Sequence, residues 1–590
     1  MEEVLQRLRQ RKIVQWALAY AAAAFALIQL LDLVGQRFGW PEPIGRILIV
    51  AAAVGLVLTI VLAWYHGERG AQRVSGSEIL IIGLLLAIGG GLLWRVARVP
   101  HESAAVSAPS AVLPSATAPK SSAPPDAKSI AVLPFANTSG DPSNEYFSDG
   151  LSEELISVLA RIPDLKIIGR NSSFHFKDSR DDSRTIGEQL GVAHLLEGSV
   201  RKQGEHVRIA VDLITAADGR QLWSETYDRE LKDIFAVQSE IASAVMQQLK
   251  VKLLGTRTTE AGGAGANPNI AAYNALLKGQ HLFSQFNNED ARKAAAEFEE
   301  ATRLDPHYAL AYAELSRAWR LVGGSFATTK EDIDDAYARA RSAARTAIEL
   351  SPELSEAHSA FGFMLLTADL DLSGAEVELR KAIALSPNDA QTVHGLGYLL
   401  AAQGRLAEAE AMSRRARELD PRRVGPYQNL ARIQIGTDRL DEAEATLREV
   451  LRIQPDASHA YTYLTLIDLR RNDAAAALRD AALEPEGFWH DFAMALALQA
   501  QPDRAAADRA LHALIEKDSE GGPFQIAIVY ALRKEPDKVF EWLDRAYASR
   551  DSGLTQLLVE SFLLDYRDDP RFAALAMKLK IDPALLDHSK

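Results

Sequence analysis

The chain contains no cysteine. That excludes disulfides, thiolate zinc sites and cysteine nucleophiles, and it suits an oxidising compartment, where a free thiol is a liability. Positive charge is not in excess either: 65 Lys and Arg stand against 79 Asp and Glu, for a net charge of −14. A nonspecific nucleic-acid binder needs a basic surface, so no nucleic-acid partner is expected. Phosphate-cradling Gly-rich loops, G-x-G-x-x-G, H-E-x-x-H and G-x-S-x-G are all missing. His175, His194 and His206 lack metal-ligand spacing and read as surface or internally satisfied histidines. The expectation is therefore no catalytic residue, no cofactor and no metal. An envelope hydrolase is disfavoured for want of any nucleophile–base arrangement.

What is present is strongly segmented. A chain of 590 residues predicts about three or four folded units. Residues 13–33 and 44–65 are each apolar and long enough to cross about 30 Å of hydrocarbon as a helix. Residues 79–94 form a shorter third run, which extends through Val96 and Ala97 if Arg95 snorkels. Three runs without a small-residue cleavage pattern argue for retained spans rather than a leader. Trp16, Trp40, Trp64 and Trp94 fall near the span ends, as interfacial anchors do. Asp32 and Gln29, late in the first span, read as a helix-packing pair or an interfacial position.

Lys and Arg placement orients the anchor. Arg7, Arg9, Arg11, Lys12, Arg69 and Arg73 lie on one side, against Arg37, Arg46, Arg95 and Arg98 on the other. The richer side is cytoplasmic by the positive-inside rule. The expected organisation is a three-helix membrane anchor over residues 1–98, an Ala/Ser/Pro linker over 99–127, an α/β module over 128–256, a Gly/Ala linker over 257–270 and a helical repeat region over 271–590. Everything after about residue 98 is then periplasmic, at the inner membrane.

In the module, "IAVLPF" at residues 130–135 reads as a buried strand and residues 151–162 as a helix. "LKIIG" is a second strand and "RTIGEQLGV" a short helix ending at Gly191. Residues 193–201, 206–214 and 220–227 are three more strands, with "VRIAVDLI" alternating as a one-sided sheet requires. Residues 234–253 close the unit as an amphipathic helix. The loop Asn137–Asp141 reads as a turn, with Ser148 or Asp149 capping the next helix and Glu153 and Glu154 complementing its dipole.

The stretches "AVLPF", "YFSDGLSEELISVLARIP", "IIGRNSSFHFKD", "IGEQLGVAHLLEGSVRKQGEHVRIAVDLI" and "QLWSETYDREL" resemble the TolB-like amino-terminal domain, related to the FlgO type. The opening segment, "RLRQRK" through "AWYHG", resembles the membrane segment often joined to it. The resemblance implies a non-enzymatic module of cell-envelope assembly or signalling, without a known ligand. Relatives of this architecture often carry a winged-helix, cyclase or kinase domain ahead of the membrane. Only residues 1–12 precede the first span here, so those activities are not carried over.

Pro387, Pro421 and Pro455 are spaced by 34 residues; Pro352 lies 35 before Pro387, and Pro306 another 46 before that. One repeat thus carries an insertion near "GGSFATTKED". Alanine stands 12 residues before each proline, at Ala294, Ala340, Ala375, Ala409 and Ala443. Five before, Ala301, Ala347, Ala382 and Ala416 are joined by Val450. This period and these small residues resemble the tetratricopeptide repeat, which stacks helix pairs into a solenoid with a concave groove. Residues 474–483, 527–533 and 539–547 look like further helices of degenerate repeats, and "DYRDDPRFAALAMKL" like an end cap. By repeat phase, Gln391, His394, Tyr398, Gln428, Arg432 and Thr462 line the groove, where polar and aromatic types suit a protein or peptide partner.

The expected fold class is multi-domain: three transmembrane helices, a mixed-sheet α/β module and an all-α solenoid. The expected work is protein scaffolding in the bacterial envelope, with homo-oligomerisation left open. The rival is a sensor whose soluble region detects a ligand or partner and signals through the membrane helices.

Overall fold

Three apolar residues follow Ser129 in β1 (Ser129–Val132), and every residue of the strand is buried. The computed structural model describes residues 125–249, 269–284, 287–327 and 329–582, within one compact unit spanning Ser121–Lys590. The three expected spans lie outside the described residues, and among those described no helix is long and apolar enough to cross a membrane. Strand β1 pairs in parallel with β3 (Lys166–Ile167) and β4 (His194–Gln203), and β2 (Ala136–Asn137) also runs parallel to β4. Antiparallel pairing then adds β5 (His206–Thr215) and β6 (Gln221–Glu230), giving a mixed sheet of order β3-β1-β4-β5-β6. In β5 the alternation is realised: Val207, Ile209, Val211 and Leu213 are buried on one face.

That face packs on α1 (Glu145–Ala160) and α4 (Ile234–Gln248) through Leu151, Leu155, Val237 and Ile241. The other face is covered by α3 (Ser183–Leu190) and by the stretch around α2 (Arg170–Phe174), through Phe176, Ile186 and Leu190. One expectation is corrected here. Helix α1 begins at Glu145, upstream of both cap candidates. Asp141 accepts from Ser143 N (2.9 Å) and opens a 3-10 turn, Pro142–Asn144, that runs directly into α1. Ser148, Asp149 and Glu154 therefore lie within the helix and are buried.

From Ile270 onward the described chain forms eight helix pairs. They are α5 (Ile270–Phe283) with α6 (Asn288–Leu304), α7 (Ala309–Leu321) with α8 (Lys330–Leu350), and α9 (Ser355–Thr367) with α10 (Leu372–Leu385). Next come α11 (Ala390–Ala402) with α12 (Leu406–Leu419), and α13 (Val424–Gly436) with α14 (Leu440–Ile453). The last three are α15 (Ala460–Arg470) with α16 (Ala474–Ala481), α17 (Phe488–Gln499) with α18 (Arg504–Asp518), and α19 (Pro523–Arg533) with α20 (Pro536–Ser549). All five alanines of the first repeat position, and the four alanines and Val450 of the second, are completely buried. Small side chains there let paired helices approach closely. The insertion is accommodated by a π-helical turn, Val322–Phe326, and by the long helix α8.

From α7 onward, first helices of successive pairs pack on each other and form the inner layer of the solenoid. The chain then returns to that layer. A 3-10 turn, Ser552–Gln556, packs against α9 and α11, and α21 (Ser561–Leu564) packs against α13. Helix α22 (Pro570–Lys578) closes the end, burying Phe572 and Leu575.

The α/β module and the solenoid are not separate cores. Tyr273 and Leu277 of α5 sit in the same apolar cluster as Phe147, Leu151 and Ile241. A polar seam continues along three successive repeats. Arg161 pairs with Glu356 (3.4 Å), Asn388 Nδ2 donates to Ile162 O (2.7 Å), and Gly169 N donates to Leu419 O (2.7 Å). Glu356 and Asn388 lie at or just before the start of a first helix and Leu419 at the end of the second helix that precedes one, so the module rests along one rim of the inner layer.

Candidate functional site

The inner layer gathers charged side chains that the repeat phase brings to one face. Arg317 stands eleven residues after its repeat proline, in the slot that Phe363, Tyr398 and Arg432 fill in later repeats. Its guanidinium donates to both carboxylate oxygens of Glu314 (2.7 and 2.8 Å) and reaches Gln391 Oε1 two repeats away (3.1 Å). That reach shows how tightly the superhelix is wound. Arg320, one turn on, places its guanidinium 5.1 Å from the centre of the Phe363 ring. Arg432 lies 4.7 Å from the centre of the Tyr398 ring, close enough for a cation–π contact. Tyr398 Oη bonds Thr555 Oγ1 of the returning segment (2.8 Å).

His394 lies beside Arg432 and Arg423, the residue before α13. Burial, with Arg423 and Arg432 nearby, pushes its ring down to about 3, so it is neutral at physiological pH. Burial also lowers Arg320 to about 10, against a favourable contribution from Tyr337 and with Arg317 and Arg423 adding repulsion. Arg423 is lowered by burial too, opposed by Asp420 and Asp389.

The six expected groove residues therefore separate. Gln391, His394, Tyr398 and Arg432 meet in the inner layer. Gln428 donates to Ser458 O (2.7 Å). Thr462 is completely buried, with its backbone N–H donating to Glu484 (2.9 Å). Arg317, Arg320, Arg423 and the returning segment were not anticipated. For Arg317 a signal existed in the eleven-residue offset; for the others the contacts are too distant in sequence to leave one.

Within the module, the loop Asn137–Asp141 uses its own polar groups. Asn137 Nδ2 donates to Asp141 O (2.9 Å), Ser139 N donates to Asn137 Oδ1 (3.0 Å), and Lys202 N donates to Ser139 Oγ (2.9 Å). Asp149 is bound by Lys177 (2.7 Å) and His281 (3.3 Å). Burial raises its carboxyl, but those two partners override it and hold the group below its ordinary value. His194 bonds Ser129 O (3.2 Å) and His206 is exposed. Among the described residues no group of three His, Cys, Asp or Glu is placed to hold a metal.

Glu154 lies at the junction of module and solenoid. It accepts from Tyr273 Oη (2.8 Å) of α5 and from Gln238 Nε2 of α4. Burial pushes its carboxyl up to about 7, although both donors favour the ionised form. Below the ordinary value of 4.5 both folded and unfolded chains are protonated. Between that value and about 7 only the folded chain keeps the proton, so stability falls as pH rises through the window and levels off above it. Asp551 and Glu560 shift in the same direction, so the informative quantity is a difference between proteins. Between pH 5 and 8 the wild type should lose about 1–3 kcal/mol more than Glu154→Gln. Chemical unfolding at a series of pH values checks this; identical pH profiles would remove Glu154 from the account.

Two family models match the chain. Residues 400–467 match a tetratricopeptide repeat, and residues 126–244 match the second domain of HilA/YgeH-like transcriptional regulators. The chain carries tetratricopeptide repeats, as its prolines and alanines led one to expect. A Rhizobium meliloti (strain 1021) protein named "Putative adenylate cyclase 3" is 40% identical over 192 residues, 32% of this chain and 32% of the relative. The chain thus spans about a third of the length of the curated relative it matches. Among solved structures, Pseudomonas aeruginosa PilF is 19% identical, covering 35% of this chain and 91% of its own, with a TM-score of 0.29. Yeast Tom70 is 18% identical, covering 60% and 81%, with a TM-score of 0.34.

Proposed function

We propose that this chain is a non-enzymatic protein-binding scaffold of the bacterial envelope. In this reading residues 1–98 anchor it in the inner membrane with three helices, and the TolB-like module and the solenoid stand in the periplasm. The observation that carries it is the tetratricopeptide solenoid, an architecture that presents extended surfaces to protein partners. The shared core at Tyr273 and Leu277 joins module and solenoid in one compact unit, as a scaffold that fixes the spacing of its partners needs. A second reading, a sensor that signals through the membrane helices, draws support from the match of residues 126–244 to a regulator domain and from the relative named as a cyclase.

A membrane-impermeant crosslinker tests the scaffold and its compartment together. Applied to cells with only the outer membrane opened, it should give the full chain discrete adducts with another protein. Adducts that form only after the inner membrane is broken would refute the periplasmic placement. No intermolecular adduct under either condition would refute the scaffold.

A further inference from the structure

The inner layer of the solenoid holds buried guanidinium N–H groups that its own acceptors do not satisfy. Arg432 is 6% exposed, yet its Nε and Nη2 have no hydrogen-bond partner. Arg317 Nε, Arg320 Nε, Arg423 Nε and His394 Nδ1 are buried and unpartnered as well. The nearby carboxylates make their hydrogen bonds elsewhere or to Arg317 alone, although Asp420 and Asp389 still favour the Arg423 charge. Glu314 is taken by Arg317, Asp389 binds the backbone N–H groups of Gln391 and Thr392, and Asp420 binds Ser172 and Asn171. Glu560, which acts on Arg432, accepts from Phe562 N and is pushed up to about 7 by burial. It is therefore only partly ionised at neutral pH. A buried guanidinium N–H without an acceptor is costly, and the cations are coupled in a chain: Arg317 and Arg423 disfavour the charge of Arg320, while Arg423 and Arg432 disfavour a charge on His394. Such an arrangement is relieved by an anion.

We propose that this interior is a binding site for a small, multiply charged phosphate compound, held by Arg317, Arg320, Arg423 and Arg432 with His394 as a further hydrogen-bonding group. The guanidiniums come from α7, from the residue before α13 and from α13 itself. They approach from several directions, which fits the many oxygens of a phosphate or phosphoanhydride better than the single plane of one carboxylate. The ligand is small because both rims are occupied, one by the α/β module and the other by the returning segment around Thr555. The proposal is independent of the scaffold reading and requires no protein in the groove.

The test uses the full chain in detergent, titrated with inorganic pyrophosphate at constant ionic strength and followed by melting and calorimetry. Pyrophosphate should raise the melting temperature and bind at one site per chain. Arg320→Gln and Arg432→Gln should each weaken binding at least tenfold, while Arg567→Gln, at an exposed arginine, leaves it unchanged. Arg320→Gln should also melt no lower than wild type without ligand, because burial disfavours that cation; Arg432→Lys should bind with intermediate strength and guards against a misfolded glutamine variant. No binding, binding undiminished in both interior variants, or binding of citrate but not pyrophosphate would each overturn the proposal.

Discussion

Replacing Gly436 with valine should destabilise the protein by about 3 kcal/mol and loosen the segment that returns to the inner layer. Gly436 ends α13 where the backbone of Val559 crosses it. A Cβ at that position would lie 2.6 Å from the Val559 carbonyl oxygen and 2.9 Å from its Cα. Neither is a flexible side chain, so one backbone must move. Leu554, Leu557, Val559 and Leu563 of the returning segment are all buried in the solenoid core, and displacement exposes part of that surface to water. Gly436→Ala should show the same effect more weakly, since the first carbon already makes the contact. Hydrogen exchange should report lost protection over residues 552–564 with the β4–β5 ladder unaffected. Stability within about 0.5 kcal/mol of wild type with unchanged exchange would mean the segment does not seat against Gly436.

The features legible in the sequence were those with a period. Prolines and alanines at fixed offsets gave the helix pairs, because Ala409 and Ala443 must be small wherever two helices touch. Alternation in "VRIAVDLI" gave β5 and its buried face. The start of α1 is not legible in the same way. Local capping preference pointed to Ser148 and Asp149, but Asp141 and Pro142 set up a 3-10 turn earlier, and Asp149 is held by Lys177 and His281. His281 belongs to α5, and nothing in the residues around Asp149 announces it. The groove was half legible. Repeat phase placed His394, Tyr398 and Arg432 on the inner layer, whereas their neighbours Thr555 and Glu560 come from a segment with no repeat signature. Glu154 was read as a helix-dipole partner for the same reason: its burial depends on Tyr273, contributed by another helix far along the chain.

Replacing Asp420 with alanine should cut the seam between the α/β module and the solenoid. Asp420 is 2% exposed and accepts from Ser172 N (2.9 Å), Ser172 Oγ and Asn171 Nδ2 (3.1 Å), all in the module. Burial raises its carboxyl, while Arg423 and the Ser172 bonds work to keep it ionised. Removing the carboxylate leaves the Ser172 donors buried without an acceptor and takes from Arg423 a nearby negative charge. The expected loss is about 3 kcal/mol, since hydrogen bonds to charged groups count for more and orphaned partners add their own cost. Module and solenoid share the core around Tyr273, so they should not separate. The module's rim contacts should instead loosen, seen as faster exchange at residues 169–173 and 420–423. A double-mutant cycle with Ser172→Ala isolates the contact: a coupling of about 1–3 kcal/mol is expected between partners this close. Additive effects of the two substitutions would mean that the Asp420–Ser172 contact does not help to hold the module and that the apolar junction with α5 and the rest of the seam do.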